Sequence, residues 1–339
     1  MRADASWITS LLLFGCAVHI GSESEPVPAA RPPAPALSGC LPLADRATAV
    51  TGRVSWATLP DQSALVVADS ATVDGATSSV GFRDAGSACL TGGSPLPARP
   101  ILDLGALAVG SRGRPLAALV AGDTFLYFSA DHADGLASDG IGIARWDAGR
   151  GVFIALSLLW TADRPSYGSA AALVDDEVYV LGGLGARFLA ADVYLARAPS
   201  AQIAEPGAYE YWQGGGHFGP DPDRALPLVE AGLSPSLAFD AARQRWLMLY
   251  AEPLAREVKV RSGLGVSGPW SMPYTLGLCD LPTSDPGSFC ADVALVPELA
   301  PDGGLAFTHG VATFSRPAQA NDRDFWTRLV RAPWPSELP

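Results

Sequence analysis

The chain has 339 residues, 48% of them hydrophobic, and a formal net charge of −12. A chain of this length can bury a sizeable core, either in one large domain or in two smaller ones. Its 36 glycines and 29 prolines are typical of many short strands and turns, and they favour an all-β fold over a helical one. Only one lysine, Lys259, stands among the 23 basic residues and no basic run occurs, so we expect no nucleic-acid partner.

The N-terminal residues predict export. A polar start, 1–6, precedes an apolar run, 7–15, which is too short to span a bilayer but long enough for the core of a signal peptide. The run ends in Leu-Phe-Gly-Cys at 13–16, which resembles the lipobox of bacterial lipoproteins and implies that Cys16 carries a lipid after cleavage. We therefore expect a membrane-attached lipoprotein of the outer membrane or cell surface. Because Phe14 is bulkier than the usual lipobox residue, ordinary secretion and a buried N-terminal segment stay open as alternatives.

A segment rich in proline and alanine, 17–40, follows the signal sequence. Residues 21–38 hold five prolines among Ala, Ser and Glu and offer little to bury, which predicts a disordered tether. The rest of the chain, 41–339, is predicted to form one folded domain.

The cysteines agree with export. Without Cys16, four of the five cysteines remain, an even number that suits an oxidising compartment. Four cysteines allow three connectivities; we favour a bond between Cys279 and Cys290, which closes a loop with two prolines, and by elimination a bond between Cys40 and Cys89. A metal site is the weaker interpretation, because no CxxC pair occurs and the four histidines are scattered.

From residue 54 onward the chain repeats a unit of three short apolar strands in constant order, with a period of roughly 60 residues. The first strands are predicted at 54–59, 116–120, 170–174, 236–239 and 293–296. The second strands are predicted at 65–69, 125–131, 178–183, 246–252 and 305–310. The third strands are predicted at 80–84, 141–147, 192–197, 258–262 and 326–331.

Five copies of this unit predict a five-bladed β-propeller. Each blade of a propeller is a small twisted sheet that cannot bury its faces alone and stacks on its neighbours in a ring. Residues 118–125 and 172–179 align without a gap, as a true repeat requires. A β-sandwich also uses many short strands, but it gives no reason for the same order to recur five times.

Several motifs lie at 193–197 (Val-Tyr-Leu-Ala-Arg), 209–212 (Tyr-Glu-Tyr-Trp) and 246–250 (Trp-Leu-Met-Leu-Tyr). In this order they resemble a bacterial exported family, domain of unknown function 4185, and the resemblance runs from 104 to 334. The strand at 258–262, with its following Gly-Pro-Trp, is also similar to the outer-blade pattern of five-bladed propeller glycosidases such as glycoside hydrolase family 43. The resemblance implies a propeller fold and, less directly, action on an extracellular carbohydrate.

Hydrolysis of a glycosidic bond requires two carboxyl groups, one protonated and one ionised, in environments that separate their pKa values. The resemblance to glycosidases therefore directs attention to acids near the innermost strands of the ring. Asp103 and Asp292 are expected near the starts of such strands, and Glu210 lies among aromatic residues, so these three are candidate catalytic residues. The alternative is structural, because Asp side chains at strand ends commonly accept hydrogen bonds from turn amides.

Candidate carbohydrate-binding residues are Tyr209, Trp212, Glu252 and His309. Aromatic faces beside a carboxylate can hold a sugar ring by stacking and hydrogen bonding. The alternative is that the aromatic residues pack between blades and that His309 is a buried structural residue.

Calcium is the one cofactor that the sequence suggests, through oxygen ligands from Asp131, Asp134 and Asp139. Signatures of serine hydrolases, nucleotide enzymes and zinc proteases are absent from the sequence. Two functions stay open: an exported carbohydrate-binding protein that also acts as a glycoside hydrolase, and a non-catalytic binding or scaffold propeller with a protein partner. No pattern predicts an oligomeric state.

Overall fold

The computed structural model describes residues 48–58, 64–73, 76–84, 94–95, 101–105, 107, 111–132, 137–184, 191–252, 255–297, 300, 303–313 and 327–338. The predicted signal sequence and tether lie outside the described residues, and so do Cys16, Cys40, Cys89 and Asp134. No helix among the described residues is long and apolar enough to cross a membrane.

The described residues contain 22 strands, which form five sheets. The first sheet has β1 (Thr48–Thr58), β2 (Ala64–Val73), β3 (Ala76–Asp84) and β4 (Ser94–Pro95). The second has β5 (Leu102–Asp103), β6 (Ser111–Ala121), β7 (Asp123–His132), β8 (Ser138–Asp147) and β9 (Val152–Thr161). The third has β10 (Ala170–Val174), β11 (Glu177–Leu184), β12 (Ala191–Pro199), β13 (Glu210–Trp212), β14 (Phe218–Gly219) and β15 (Val229–Ala231).

The fourth sheet has β16 (Leu233–Asp240), β17 (Arg245–Ala251), β18 (Glu257–Gly263) and β19 (Tyr274–Leu278). The fifth has β20 (Ser288–Leu295), β21 (Gly304–Thr313) and β22 (Arg328–Pro333). Three short 3₁₀ helices occur in the described residues, at Ser200–Gln202, Pro206–Ala208 and Pro222–Arg224.

The sheets are arranged as in a β-propeller. Each has an innermost strand, β1, β6, β10, β16 or β20, from which antiparallel neighbours continue outward, and in the second sheet β5 is added in parallel beyond β9. Each innermost strand contacts the innermost strand of the next sheet, and β20 contacts β1. The all-β class, the propeller arrangement and the repeated strand order are thereby confirmed. Four of the sheets have the four or more strands of a full blade, whereas the fifth has three among the described residues.

The hydrophobic core lies between neighbouring sheets, and the side chains of β17 illustrate this packing. Its side chains alternate in direction, as in any strand. One set packs on the third sheet, namely Trp246, Met248 and Tyr250. The other set packs on the fifth sheet, namely Leu247, Leu249 and Ala251. Both faces of this strand are buried, so its sequence is a continuous apolar run instead of an alternating one.

Candidate functional site

The innermost strands begin at one end of the ring, which we call the proximal end. In antiparallel pairs the second strand of a sheet must end where the first begins, and the register confirms this: Ser111 of β6 pairs with His132, and Ser288 of β20 pairs with Thr313. The proximal end therefore gathers the starts of innermost strands and the ends of the second strands. Of the predicted site residues, Glu252 and Asp131 lie toward this end, whereas Asp292 lies near the middle of β20.

Asp292 occupies a β-bulge in the innermost strand β20. Ala291 pairs with Gly310 and Ala294 pairs with Thr308, so Asp292 and Val293 together face a single residue of β21. The φ angle of Asp292 is 52°, in the left-handed region that Asp tolerates better than most residues. Bulges of this kind redirect side chains and are frequent beside functional sites. The carboxylate of Asp292 is half-buried there.

Three other innermost strands are irregular at the corresponding position. The register shifts between Thr51 and Val54 in β1, between Pro115 and Ala117 in β6, and between Leu233 and Ser236 in β16. Of these four irregularities among the described strands, only that of β20 contains a carboxylate residue. Asp292 is therefore the one acid that lies in such a bulge of an innermost strand among the described residues.

A disulfide and a backbone hydrogen bond hold the start of β20. Cys279 and Cys290 form the disulfide, as predicted. The amide of Cys290 also donates to the carbonyl of Ala255, at 3.1 Å. Ala255 follows the end of β17, so this bond links the strand that carries Asp292 to the segment that begins with Glu252.

Glu252 lies directly after β17 and pairs with the single lysine of the chain. The ammonium of Lys259 lies 2.6 Å from the Glu252 carboxylate and 3.5 Å from that of Glu257. Burial alone would lower the pKa of Lys259, but the hydrogen bond that its ammonium donates to Glu252 and the charges of both glutamates outweigh burial and raise the pKa. Lys259 and the two glutamates thus provide both hydrogen-bond donors and hydrogen-bond acceptors at the proximal end.

Asp131, the last residue but one of β7, lies in a polar network. Its carboxylate accepts hydrogen bonds from the Arg114 guanidinium at 2.8 Å and from the Ser129 hydroxyl at 2.5 Å. Asp139 instead pairs with His132, at 3.0 Å. With Asp134 outside the described residues, the calcium site stays a prediction, and an arginine on Asp131 does not favour it. Sequence reasoning missed Arg114, although its place at the start of an innermost strand was a usable signal.

The expected position of Asp103 near an innermost strand is wrong, whereas Glu210 lies on an outer strand, as the structural alternative predicts. Asp103 lies in β5, which adds in parallel to the outermost strand β9. The Arg150 guanidinium, 2.7 Å away, is the main cause that lowers the pKa of this carboxyl. Glu210 lies in β13 and is held by Arg197 at 2.7 Å. Both ion pairs lie on outer strands toward the distal end, the end opposite the proximal one, so the structure does not bring these acids to Asp292.

Tyr209 is buried and Trp212 is half-buried, so the structure does not place the two rings side by side on an exposed face. Tyr209 is 1% exposed, and its hydroxyl donates to the carbonyl of Ile203 and lies 2.9 Å from that of Tyr127. Burial raises the pKa of this phenol well above its usual value. Trp212 packs edge-on against Phe218. The alternative of aromatics packed within and between sheets is therefore the correct one.

His309 is fully buried in β21, between the fourth and fifth sheets. Neither ring nitrogen has a hydrogen-bond partner among the described residues. Desolvation is the main cause that lowers the pKa of His309 to about 4, and the nearby Arg328 charge adds to it. A fully buried imidazole cannot touch a bound sugar, so its predicted binding role is not supported by its position.

The distal end contains a separate cavity of about 540 Å³. It lies between the β16–β17 turn and the β20–β21 connection, and its polar lining includes Asp240 and Arg243. These two side chains form a 2.7 Å ion pair, and Arg243 also donates to the carbonyl of Gly303. Its polar groups are thus already occupied by one another.

Comparison with known proteins supports the fold and one family. Residues 144–299 match the family described as domain of unknown function DUF4185, which confirms the resemblance. No curated protein matches the chain in sequence.

Three of the solved structures that share the fold illustrate the likeness. A protein of Bacteroides ovatus ATCC 8483, provisionally assigned as a hydrolase, has a TM-score of 0.62 at 13% identity, with 84% of this chain and 86% of that one covered. The endo-arabinase of Bacteroides thetaiotaomicron VPI-5482 has 0.53 at 11%, covering 89% and 99%. The GH43_1 enzyme of Xanthomonas citri has 0.52 at 16%, covering 85% and 89%. Residues 144–299 are thus a DUF4185 match, within a β-propeller whose fold is shared with carbohydrate-active enzymes.

Proposed function

We propose that this protein binds and hydrolyses an extracellular carbohydrate at the proximal end of a five-bladed propeller. The observation that carries the proposal is the bulge of β20, which holds Asp292 in a left-handed conformation on an innermost strand. The fold likeness to carbohydrate-active propellers agrees with it. A functional group held in an uncommon backbone conformation is a frequent property of active sites.

The five-blade count is part of the proposal. Its support is the closed series of contacts from β1 through β6, β10, β16 and β20 back to β1. A ring closed in this way leaves no innermost strand without a neighbour on either side. Five innermost strands then surround the centre at which the substrate binds.

Glycoside hydrolysis requires a second carboxyl group beside Asp292. Glu252 is the predicted acid whose segment is joined most directly to β20, through the bond between Cys290 and Ala255. We therefore propose Glu252 as the partner to test first. Its pairing with Lys259 also provides groups that hydrogen-bond to sugar hydroxyls.

The test is a panel of β-1,3-galactan, xylan and arabinan, offered to the purified protein with and without calcium. The choice follows structural neighbours named as an exo-β-1,3-galactanase, a GH43_1 enzyme complexed with xylose and an endo-arabinase. Release of oligosaccharides or free sugars supports the proposal. Binding without products supports recognition but contradicts hydrolysis. Neither binding nor products on the panel and on a wider glycan array would overturn both parts and favour a protein partner.

We also propose that the protein is exported and anchored by a lipid on Cys16. The support is the lipobox-like sequence at 13–16. Metabolic labelling with a radioactive fatty acid should label the wild type but not a Cys16→Ser variant. Equal labelling of both, or none of either, would contradict the anchor.

A further inference from the structure

Three metal-binding side chains meet in the core between the fourth and fifth sheets. Cys279, Cys290 and His309 are each 0% exposed. One ligand atom from each, Sγ of the cysteines and a ring nitrogen of the histidine, lies within 4.8 Å of the other two. The cluster brings together three separate segments of the chain: the end of β19, the start of β20 and the middle of β21.

His309 gives the second, independent indication of a ligand. Both of its ring nitrogens are buried, and by distance and angle neither has a hydrogen-bond partner among the described residues, although the Gly310 backbone lies near enough to act on the pKa of the ring. An unsatisfied buried polar group costs about 1–3 kcal/mol, and in a native fold it calls for an explanation such as an absent ion. A sugar site at the proximal end does not explain it, because the ring is enclosed between two sheets.

We propose that, when the Cys279–Cys290 disulfide is reduced, Cys279, Cys290 and His309 bind one Cu⁺ ion. A dithiol reductant supplies two electrons and two protons: the S–S bond breaks, two thiols form, and the dithiol becomes a disulfide. On metal binding each thiol releases its proton to solvent and forms an S–Cu bond, and the imidazole donates a lone pair. Copper stays in the +1 state throughout. The disulfide form lacks these thiolates, so the site exists only in the reduced protein.

The donors and the charges select the ion. Thiolate ligands favour soft ions such as Cu⁺ and Zn²⁺, but structural zinc sites almost always have four ligands, whereas this cluster has three. Two thiolates and Cu⁺ carry a net charge of −1. Arg328 is the cross-strand neighbour of His309 and acts on it electrostatically, so its positive charge compensates that of the complex. A buried complex with balanced charge avoids the cost of an isolated ion in the core.

The inference does not depend on the proposed carbohydrate activity. The experiment uses the full chain, reduced by a phosphine in the absence of oxygen. The phosphine takes the oxygen atom of one water molecule and becomes a phosphine oxide, and the two hydrogen atoms of the water complete the two thiols. Cu⁺ is then titrated in competition with a colorimetric Cu⁺ chelator. The reduced protein should bind one more Cu⁺ than the oxidised protein. A Cys279→Ser/Cys290→Ser variant should lose that equivalent, and a Cys40→Ser/Cys89→Ser variant should keep it.

The histidine is tested separately. His309→Phe should weaken Cu⁺ binding at least about 100-fold, the upper end of the loss seen when an outer-shell partner is removed. His309→Met, which restores a soft donor, should recover most of the affinity, and circular dichroism establishes that each variant is folded. Zn²⁺ should bind more weakly than Cu⁺.

Two results would overturn the proposal. One is an unchanged Cu⁺ stoichiometry in Cys279→Ser/Cys290→Ser. The other is that reduced wild-type protein binds no extra Cu⁺. A parallel sample of the same protein is treated with a thiol-alkylating reagent, and alkylation of both Cys279 and Cys290 establishes that the thiols are free. Tighter binding of Zn²⁺ would overturn the choice of ion.

Discussion

Asp292 faces His309 across the bulge between β20 and β21. Gly310 and Thr308, on either side of His309, pair with Ala291 and Ala294, so the bulge is centred on the histidine. One residue is a half-buried acid on an innermost strand, and the other is a fully buried imidazole beside a disulfide. The proposed carbohydrate site at Asp292 and the proposed Cu⁺ site at His309 thus lie on the same β-bulge.

Asp292→Asn should abolish carbohydrate hydrolysis. Loss of a positioned acid or base typically costs about 100-fold or more in rate. Asn tolerates the left-handed conformation as Asp does, so the free energy of unfolding should change by no more than about 1 kcal/mol. Product release per minute and a urea unfolding curve measure the two quantities.

Asp103→Asn is the matched control for that substitution. It removes a carboxylate of the same type from an outer strand, where Arg150 holds it. Activity should stay within about twofold of the wild type, since exposed outer positions have small effects. A greater loss of activity in Asp103→Asn than in Asp292→Asn would move the site away from the proximal end.

Tyr209→Phe should lower stability instead of carbohydrate binding. The substitution leaves the Ile203 carbonyl and the Tyr127 hydroxyl without this partner, at a cost of about 1–2 kcal/mol in the free energy of unfolding. Tyr194→Phe, at a half-buried position, should change it by about 0.5 kcal/mol or less. Weaker glycan binding with unchanged stability in Tyr209→Phe would restore its predicted role as a sugar ligand.

Removal of the Cys279–Cys290 disulfide should lower the free energy of unfolding, because the unfolded chain then gains conformational entropy. The bond closes a loop with a sequence separation of 11 residues. For a loop of this size the chain-entropy estimate is about 3 kcal/mol. A Cys279→Ala/Cys290→Ala variant in chemical denaturation tests this value, and an unchanged midpoint would mean that the bond does not constrain the chain in solution.

The oxidised protein should lose stability as the pH falls from about 6.5 to about 4. The pKa of His309 is lowered from 6.5 to about 4 in the fold, so the unfolded chain binds more protons across this window. Desolvation and the Arg328 charge cause the shift, while the Gly310 backbone and Asp280 oppose it.

The contribution of this histidine amounts to roughly 3 kcal/mol. A His309→Gln variant, which cannot be protonated there, should lack this part of the pH dependence. Stability is compared as the difference between wild type and variant at each pH, so that carboxylates elsewhere cancel. A constant difference across the window would show that His309 is not buried as a neutral group.

The strand order could be predicted from the sequence because the repeat recurs five times. Apolar runs such as 246–251 are buried on both faces, and they stand out from the polar turns around them. The central position of the strands at 116–120 and 293–296 also follows from their place at the start of each unit.

The site was harder to predict. Residues 101–103 look like the approach to an innermost strand, yet they join the outermost one, and local sequence carries no information on which sheet edge a two-residue strand will meet. The bulges left a weak signal: Pro235 stands inside the innermost strand β16, and proline in a strand commonly marks a bulge. Aligning it with Asp292 through the repeat would have indicated the special position of this acid.

The most direct test of the central claim is a crystal structure of Asp292→Asn with an oligosaccharide of the panel to which the protein binds. We expect electron density for the sugar at the proximal end, within hydrogen-bond distance of residue 292. Density in the distal cavity beside Arg243, or on the outer strands beside Trp212, would contradict the assignment of the site.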